Sequence, residues 1–271
     1  MFQSDCLMQK VAVVTGGTGM LGSHYCQALA ASGAKVIIAD LHQEACEALA
    51  KRIHLSHPSS PEPVGLAVDL AEEDHIRAWA QRIHEIAPAG ADIIVNNAAV
   101  KSPNFFEPLE SYSLVDWNFV MNVNVTAMFL VVRELGPNMA AKGKGSIINI
   151  SSIYGLVGPD QRIYEGSWYE ELGGPINTPL IYSVSKGAVI AMTRYLATYW
   201  GHKGIRTNAI TPGGVASGQN TSFTERYSAK VPLGRMAHAD ELIGALLFLA
   251  SDASSYVNGH NLIVDGGWTA W

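Results

Sequence analysis

The segment "KVAVVTGGTGMLGSHYCQALAASGAKVIIAD", residues 10–40, restricts the fold more than any other. A β-branched apolar run over 10–15 ends in glycines, a helical pattern runs from Met20 to Ser32, Gly33 offers a stop, and a second apolar run covers 34–40. Short apolar runs bounded by glycine read as buried strands. Strand, turn, helix and strand within 31 residues make one βαβ unit, whose parallel strands need helices over both faces of the sheet.

The alternation continues. Helix is expected over 43–53, strand over 64–70, an amphipathic helix over 72–87, and a strand over 92–100 that runs into a loop. A long helical region covers about 113–141, followed by a strand over 145–152, a polar and aromatic stretch over 153–180, and a helix over about 181–200. Next come a strand over 205–211, loop to about 237, the helix "DELIGALLFLAS" and a last strand, "HNLIVDGG". With no linker, repeat or charge block, the pattern predicts one α/β domain over 1–271, a doubly wound parallel sheet of Rossmann type.

Composition narrows the function. An apolar fraction of 48% with 15% charged residues suits a buried core. A net charge of −6 without a basic run argues against nucleic acid. No apolar run reaches 18 residues and the start lacks a signal-peptide pattern, so no membrane partner and a cytoplasmic location are expected. Three cysteines without C-x-x-C, and nine histidines without H-E-x-x-H, point to neither a disulfide framework nor a metal site.

Within the first unit, Gly17, Gly19 and Gly22 form G-x-G-x-x-G. After a strand and before a helix, such glycines permit a tight turn, close approach to a pyrophosphate and close helix packing, while the helix N-terminus favours the phosphate charge. Asp40 closes the second strand 21 residues after Gly19; an acid there suits the ribose 2′-hydroxyl of NAD and repels the 2′-phosphate of NADP. Leu41 follows, and the glycine loop carries no Arg or Lys. NAD is therefore the expected cofactor.

Further along stand "NNAA" (96–99), Asn124 in "NVNVT", "INISS" (148–152), "YSVSK" (182–186), "PGGV" (212–215) and "VDGG" (264–267). In this order, and over nearly the whole chain, they resemble the short-chain dehydrogenase/reductase family. Y-x-x-x-K alone is weak; the ordered set carries the resemblance. It implies an NAD-dependent oxidoreductase with Asn124, Ser152, Tyr182 and Lys186 as catalytic residues. Ser152 would hold and polarise the substrate oxygen, and Asn124 would order water in a proton relay or only fix a helix. The cofactor residues it implies are Gly16, Thr18, Gly19, Met20, Leu21 and Gly22 at the turn, Asp40, Leu41, Asp69 and Leu70 further along, and Asn97, Ala98, Ala99, Tyr182, Lys186, Pro212, Gly213, Val215 and Ser217 toward the reacting ring. Asn96 and Asn97 either tie strand ends together or touch cofactor, and Asp69 equally reads as a plain acid starting a helix. The family's dimers and tetramers use the two long helices and the C-terminal strand, which implies a homo-dimer or homo-tetramer here.

The chemistry has its own logic. A free phenol, with a pKa of about 10, is a poor base near neutrality, and a neighbouring ammonium can lower that by roughly 1–3 units. Tyr182 and Lys186 lie at i and i+4, on one helix face, so Lys186 is expected to lower the Tyr182 pKa.

Two departures leave alternatives open. Thr15, Gly16, Gly19 and Gly22 give T-G-x-x-G-x-x-G, the spacing of the family's extended branch of sugar epimerases and dehydratases, which hold NAD tightly and return the hydride. Everything downstream looks like the compact branch, so net oxidation or reduction of a secondary alcohol or carbonyl leads, ahead of epimerase or dehydratase chemistry and of a dinucleotide-sensing protein without turnover. Second, 29 residues separate Ser152 from Tyr182, a longer stretch than the family usually has. It contains Asp160, Gln161, Arg162, Tyr164, Glu165, Trp168, Tyr169, Glu170, Glu171 and Asn177, a mix that suits either a hydroxylated small-molecule substrate or a lid or subunit contact. This stretch and the terminal "GGWTAW" resemble members from bacterial surface-sugar and flagellar-glycan pathways. A sugar-derived substrate is the expectation, with Arg162 or Arg226 holding an anionic group, and 216–235, within the substrate flap 212–237, reading as mobile.

Overall fold

The computed structural model describes residues 6–169 and 174–271. Its main sheet has seven strands: β1 (Val11–Thr15), β2 (Lys35–Asp40), β3 (Val64–Ala67), β4 (Ile93–Asn96), β5 (Gly145–Ile150), β8 (Ile205–Pro212) and β9 (Asn261–Val264). They lie in the order β3-β2-β1-β4-β5-β8-β9, and every pairing is parallel. The helices are α1 (Met20–Ala31), α2 (Gln43–Ser56), α3 (Glu73–Ile86), α4 (Leu114–Met121), α5 (Ala127–Lys142), α6 (Leu180–Trp200), α7 (Thr221–Ser228) and α8 (Ile243–Ala250). The doubly wound α/β expectation holds.

The strands are near-continuous apolar runs because both faces are covered, and their residues alternate between two cores. Ala12, Val14, Val36 and Ile38 pack with α1, α2 and α8, whereas Val13, Ile37 and Ile94 pack with α3, α5 and α6. The chain runs outward from β1 to β3 and then crosses back to β4 on the other side of β1, so the switch point lies between β1 and β4. Crevices at the carboxyl ends of strands beside such a point bind ligands in open α/β sheets.

Three segments depart from the sequence reading. The long helical region spans Leu114–Lys142 but holds a π turn at Asn122–Thr126. An 18-residue window of it has mean hydropathy 1.4, enough by length and composition to cross a membrane; half of that window is buried inside this fold. β3 ends at Ala67 because the Asp69 carboxylate accepts the Ala71 N–H and turns the chain into α3. The stretch 216–235 contains α7, capped by Asn220, so it is not loop throughout.

The stretch 153–180 folds as two 3₁₀ turns, Ile153–Gly155 and Gln161–Tyr164, and a ribbon of β6 (Trp168–Tyr169) paired antiparallel with β7 (Gly174–Pro175). Glu170 and Glu171 lie outside the described residues.

Candidate active site

The site begins where β1 ends. Gly16 has φ +62°, and a Cβ there would stand 2.8 Å from Ala98 Cα. Gly22, one turn into α1, lies against Gly16, where a Cβ would fall 2.0 Å from its carbonyl oxygen. Gly19 caps α1 without a side-chain bond, and no acid stands in the first turn, so the leading N–H groups have no side-chain cap among the described residues. The Asp40 carboxylate reaches the same turn: Oδ2 accepts from the Thr18 N–H at 2.9 Å and the Thr18 hydroxyl at 2.6 Å, and Oδ1 from the Leu41 N–H at 2.8 Å. The acid at the end of β2 therefore fixes the turn and also offers negative charge beside it.

β4 supplies the next wall. The Asn97 side-chain amide donates to the carbonyls of Thr15 and Gly16, both at 3.0 Å, and the Thr15 hydroxyl accepts the N–H groups of Asn97 and Ala98. Asn96 donates to Asn149, which donates to Thr193. Of the two asparagines, Asn96 ties strands together, while Asn97 ties strand ends and also lines the cleft.

β5 and α6 meet opposite. The Ser151 hydroxyl donates to the Lys186 carbonyl at 2.8 Å, and Ser152 Oγ accepts the Tyr154 N–H. A Cβ on Gly155 would lie 2.6 Å from the Lys186 carbonyl, so the turn after Ser152 sits directly on α6. The Lys186 ammonium donates to the Ile150 carbonyl at 3.0 Å and lies 5.9 Å from the Tyr182 ring centroid. Burial pushes the Lys186 pKa down to about 8. Burial also pushes the Tyr182 phenol upward, against the hydrogen bond from Ser152 that lowers it. The expectation that Lys186 would draw the phenol down is not met here: the influences that move it are burial, Ser152 and Tyr164, with burial the largest.

Asn124 sits on the π turn, 1% exposed, and is not among the residues that line the cleft. Its Oδ1 accepts the Val100 N–H at 2.8 Å, and its Nδ2 has no partner among the described residues.

These elements enclose a cleft of about 620 Å³. It brings together Met20, Leu21, Asn97, Ala99, Ser152, Tyr182, Lys186, Pro212, Gly213, Val215 and Ser217. Gly16, Thr18, Gly19 and Gly22 form the adjoining turn with Ala98, after β4, packed against Gly16; Asp40 ends β2, Leu41 follows it, and Asp69 and Leu70 follow β3, all at the carboxyl ends of the strands. Arg162 and Arg226 do not line the cleft: Arg162 pairs with Asp160 at 2.8 Å, and Arg226 donates to the Glu165 carbonyl. The sequence reading missed Lys101, Phe105, Phe106, Tyr154 and Thr178 in the lining. The only local signal for the first three is their place just after "NNAAV". At the amino ends of the central strands a cavity of about 670 Å³ is lined by Lys10, Asp92, Lys144, Arg206 and Asp252, where Lys144 pairs with Asp252. Among the described residues, no group of three or more His, Cys, Asp or Glu side chains could hold a metal.

A glycine turn and a Tyr–Lys helix sharing one switch-point cleft define the class, a dinucleotide-fold oxidoreductase. Comparison with known proteins narrows it: residues 10–167 match the family profile described as short chain dehydrogenase, and 167–269 that described as enoyl-(acyl carrier protein) reductase. The chain belongs to the short-chain dehydrogenase/reductase family. Galactitol 2-dehydrogenase (L-tagatose-forming) of Cereibacter sphaeroides is 34% identical over 269 residues, covering 96% of this chain and 95% of the relative. A gluconate 5-dehydrogenase from Burkholderia cenocepacia, solved with NADP and tartrate, superposes with a TM-score of 0.85 at 30% identity, over 99% of this chain and 98% of that one. A short chain dehydrogenase from Leptospira borgpetersenii with bound NAD+ gives 0.84 at 32% identity, over 98% and 95%.

Proposed function

We propose that the chain is an NAD(H)-dependent oxidoreductase that interconverts a secondary alcohol and a carbonyl on a sugar-like, polyhydroxylated substrate, with Tyr182 as the acid and base. One observation carries this reading: Tyr182, Ser152 and Lys186 line one cleft beside an uncapped helix N-terminus. Relatives named for galactitol, D-threitol and gluconate support the substrate class.

The residues fit a dinucleotide. The turn has no room for side chains at Gly16 and Gly22, and the leading N–H groups of α1 suit a pyrophosphate. Solved relatives hold NADP or NAD+. For this chain the Asp40 carboxylate, with no Arg or Lys in the glycine loop, favours NAD. When bound, the nicotinamide supplies or accepts the hydride.

The chain's own groups manage the proton and the oxygen. Ser152 donates to the substrate oxygen and holds it beside Tyr182. Tyr182 Oη takes the hydroxyl proton in oxidation and returns it in reduction. The Lys186 ammonium stays bonded to the Ile150 carbonyl, 5.9 Å from the Tyr182 ring centroid, and the Nδ2 of Asn124, without a partner among the described residues, is available to order water. Asp69 and Leu70 complete the adenine side, and Val215 and Ser217 the nicotinamide side. A cytoplasmic homo-oligomer is the setting we infer, with the stretch 153–180 and the segment 212–237 forming the substrate-facing part of one domain.

The test is turnover of a panel of alditols with NAD or NADP, followed by the absorbance of the reduced nicotinamide. A stoichiometric change favouring NAD, abolished by Tyr182→Phe, is expected. Product formed without net change in absorbance would instead mark the epimerase or dehydratase chemistry that the T-G-x-x-G-x-x-G spacing keeps open.

A further inference from the structure

In a chain of net charge −6, the cleft has the opposite sign: among the described residues it is lined by two lysines and no acidic side chain. Lys186 is engaged, its ammonium bonded to the Ile150 carbonyl. Lys101 is not: no ion pair or hydrogen bond among the described residues involves its side chain. Its ammonium stands over the ring of Phe106, 5.1 Å from the centroid. Phe106 meets Phe105 edge to face at 5.2 Å, and Phe105 meets Tyr182 in the same way at 6.4 Å. A continuous aromatic wall thus leads from the phenol to a cation that is unpaired among the described residues. The wall is tied to the stretch 153–180, since the Asn177 amide donates to the Phe106 carbonyl at 2.7 Å.

We propose that Lys101 is a specificity-determining residue that binds an oxyanion, carboxylate or phosphate, at one end of a hydroxylated substrate whose other end reacts at Tyr182. The inference rests on the alcohol–carbonyl reading of the same site. An ammonium held over a ring, with no counter-charge among the described residues, gains most from an anion that arrives with the ligand. Desolvation already pushes the Lys101 pKa down, and a bound anion reverses that penalty. Neutral polyols would use the same wall but leave the cation unpaired, so the physiological substrate is a hydroxy acid or a sugar phosphate rather than a free alditol.

The test compares four- to six-carbon aldonates and alditol phosphates with the matching alditols, each with NAD. In the wild type at least one charged series should exceed its alditols in kcat/KM by about tenfold or more, the scale of one charge-assisted hydrogen bond. Lys101→Met should collapse that ratio through KM, and Lys101→Arg should retain most of it. Whether aldonates or phosphates show the advantage identifies the anion. A ratio near one in the wild type, or a ratio that survives in Lys101→Met, overturns the proposal. Calorimetric titration of the protein–NAD complex with the same compounds reads binding independently of turnover. Binding of a charged compound that weakens about tenfold in Lys101→Met supports the oxyanion site even if no compound turns over, a result that would instead sink the alcohol–carbonyl reading. Absence of binding by every charged compound, or binding indifferent to Lys101, overturns the site itself.

Discussion

Lys186 combines a depressed pKa with a fixed hydrogen bond, and this makes its energetics measurable. Below about pH 8 the side chain is protonated in both folded and unfolded chains, so the full burial penalty is present. Between about 8 and the ordinary value of 10.5 the folded chain releases its proton while the unfolded chain keeps it, so this group makes stability rise with pH across that window. Urea unfolding at pH 8 and pH 10 should show the wild type gaining stability relative to Lys186→Met; parallel changes in the two would refute the assignment. Tyr182→Phe should keep its fold by circular dichroism yet lose about 10²–10⁴-fold in kcat, the usual contribution of a positioned acid or base. Gly22→Ala drives a methyl into the Gly16 carbonyl and should cost about 1–3 kcal/mol in chemical denaturation while weakening NAD in a fluorescence titration.

Elements explain which parts of the molecule the sequence disclosed. Buried parallel strands are short apolar runs, and a turn this tight needs glycine, so the sheet and the glycine turn are legible from the order and spacing of residues. The π turn was not, because 113–141 carries no residue that marks a change of helix type; the turn is visible only as the place where Asn124 meets Val100. Lys101 was also hidden, since its role depends on rings that reach Tyr182 through tertiary packing. Conversely, Arg162 looked like a ligand-binding residue until Asp160, held well below the usual carboxylate range by Arg162 first and Lys230 second, accounted for it. Asp160 and the Arg226–Glu165 bond fasten α7 to the stretch after Ser152. Asp160→Asn should therefore raise hydrogen exchange in both 158–167 and 221–228 together; faster exchange in only one would separate them. Asn124→Ala leaves the Val100 N–H without its acceptor and should lower stability by about 1–3 kcal/mol in the same urea assay.

At the scale of the molecule, apolar surface is concentrated on the outer faces of the two longest helical elements. Phe119 and Phe129 on α4 and α5, and Tyr195 and Tyr199 on α6, are all exposed. Patches of this kind mark association surfaces, in keeping with the proposed homo-oligomer. Sedimentation should show a multiple of 29.1 kDa, and Phe129→Glu with Tyr199→Glu should shift it toward that unit mass; a wild type that sediments as the unit would refute self-association. The contact between Gly155 and the Lys186 carbonyl has a wider consequence. It anchors the near end of the polypeptide that departs from Ser152, and Pro179 caps the helix at the far end. Between these two moorings the chain is also tied across to Lys230, to Arg226 and to Phe106, so any replacement for it must bring matching contacts if its ends are to keep their places.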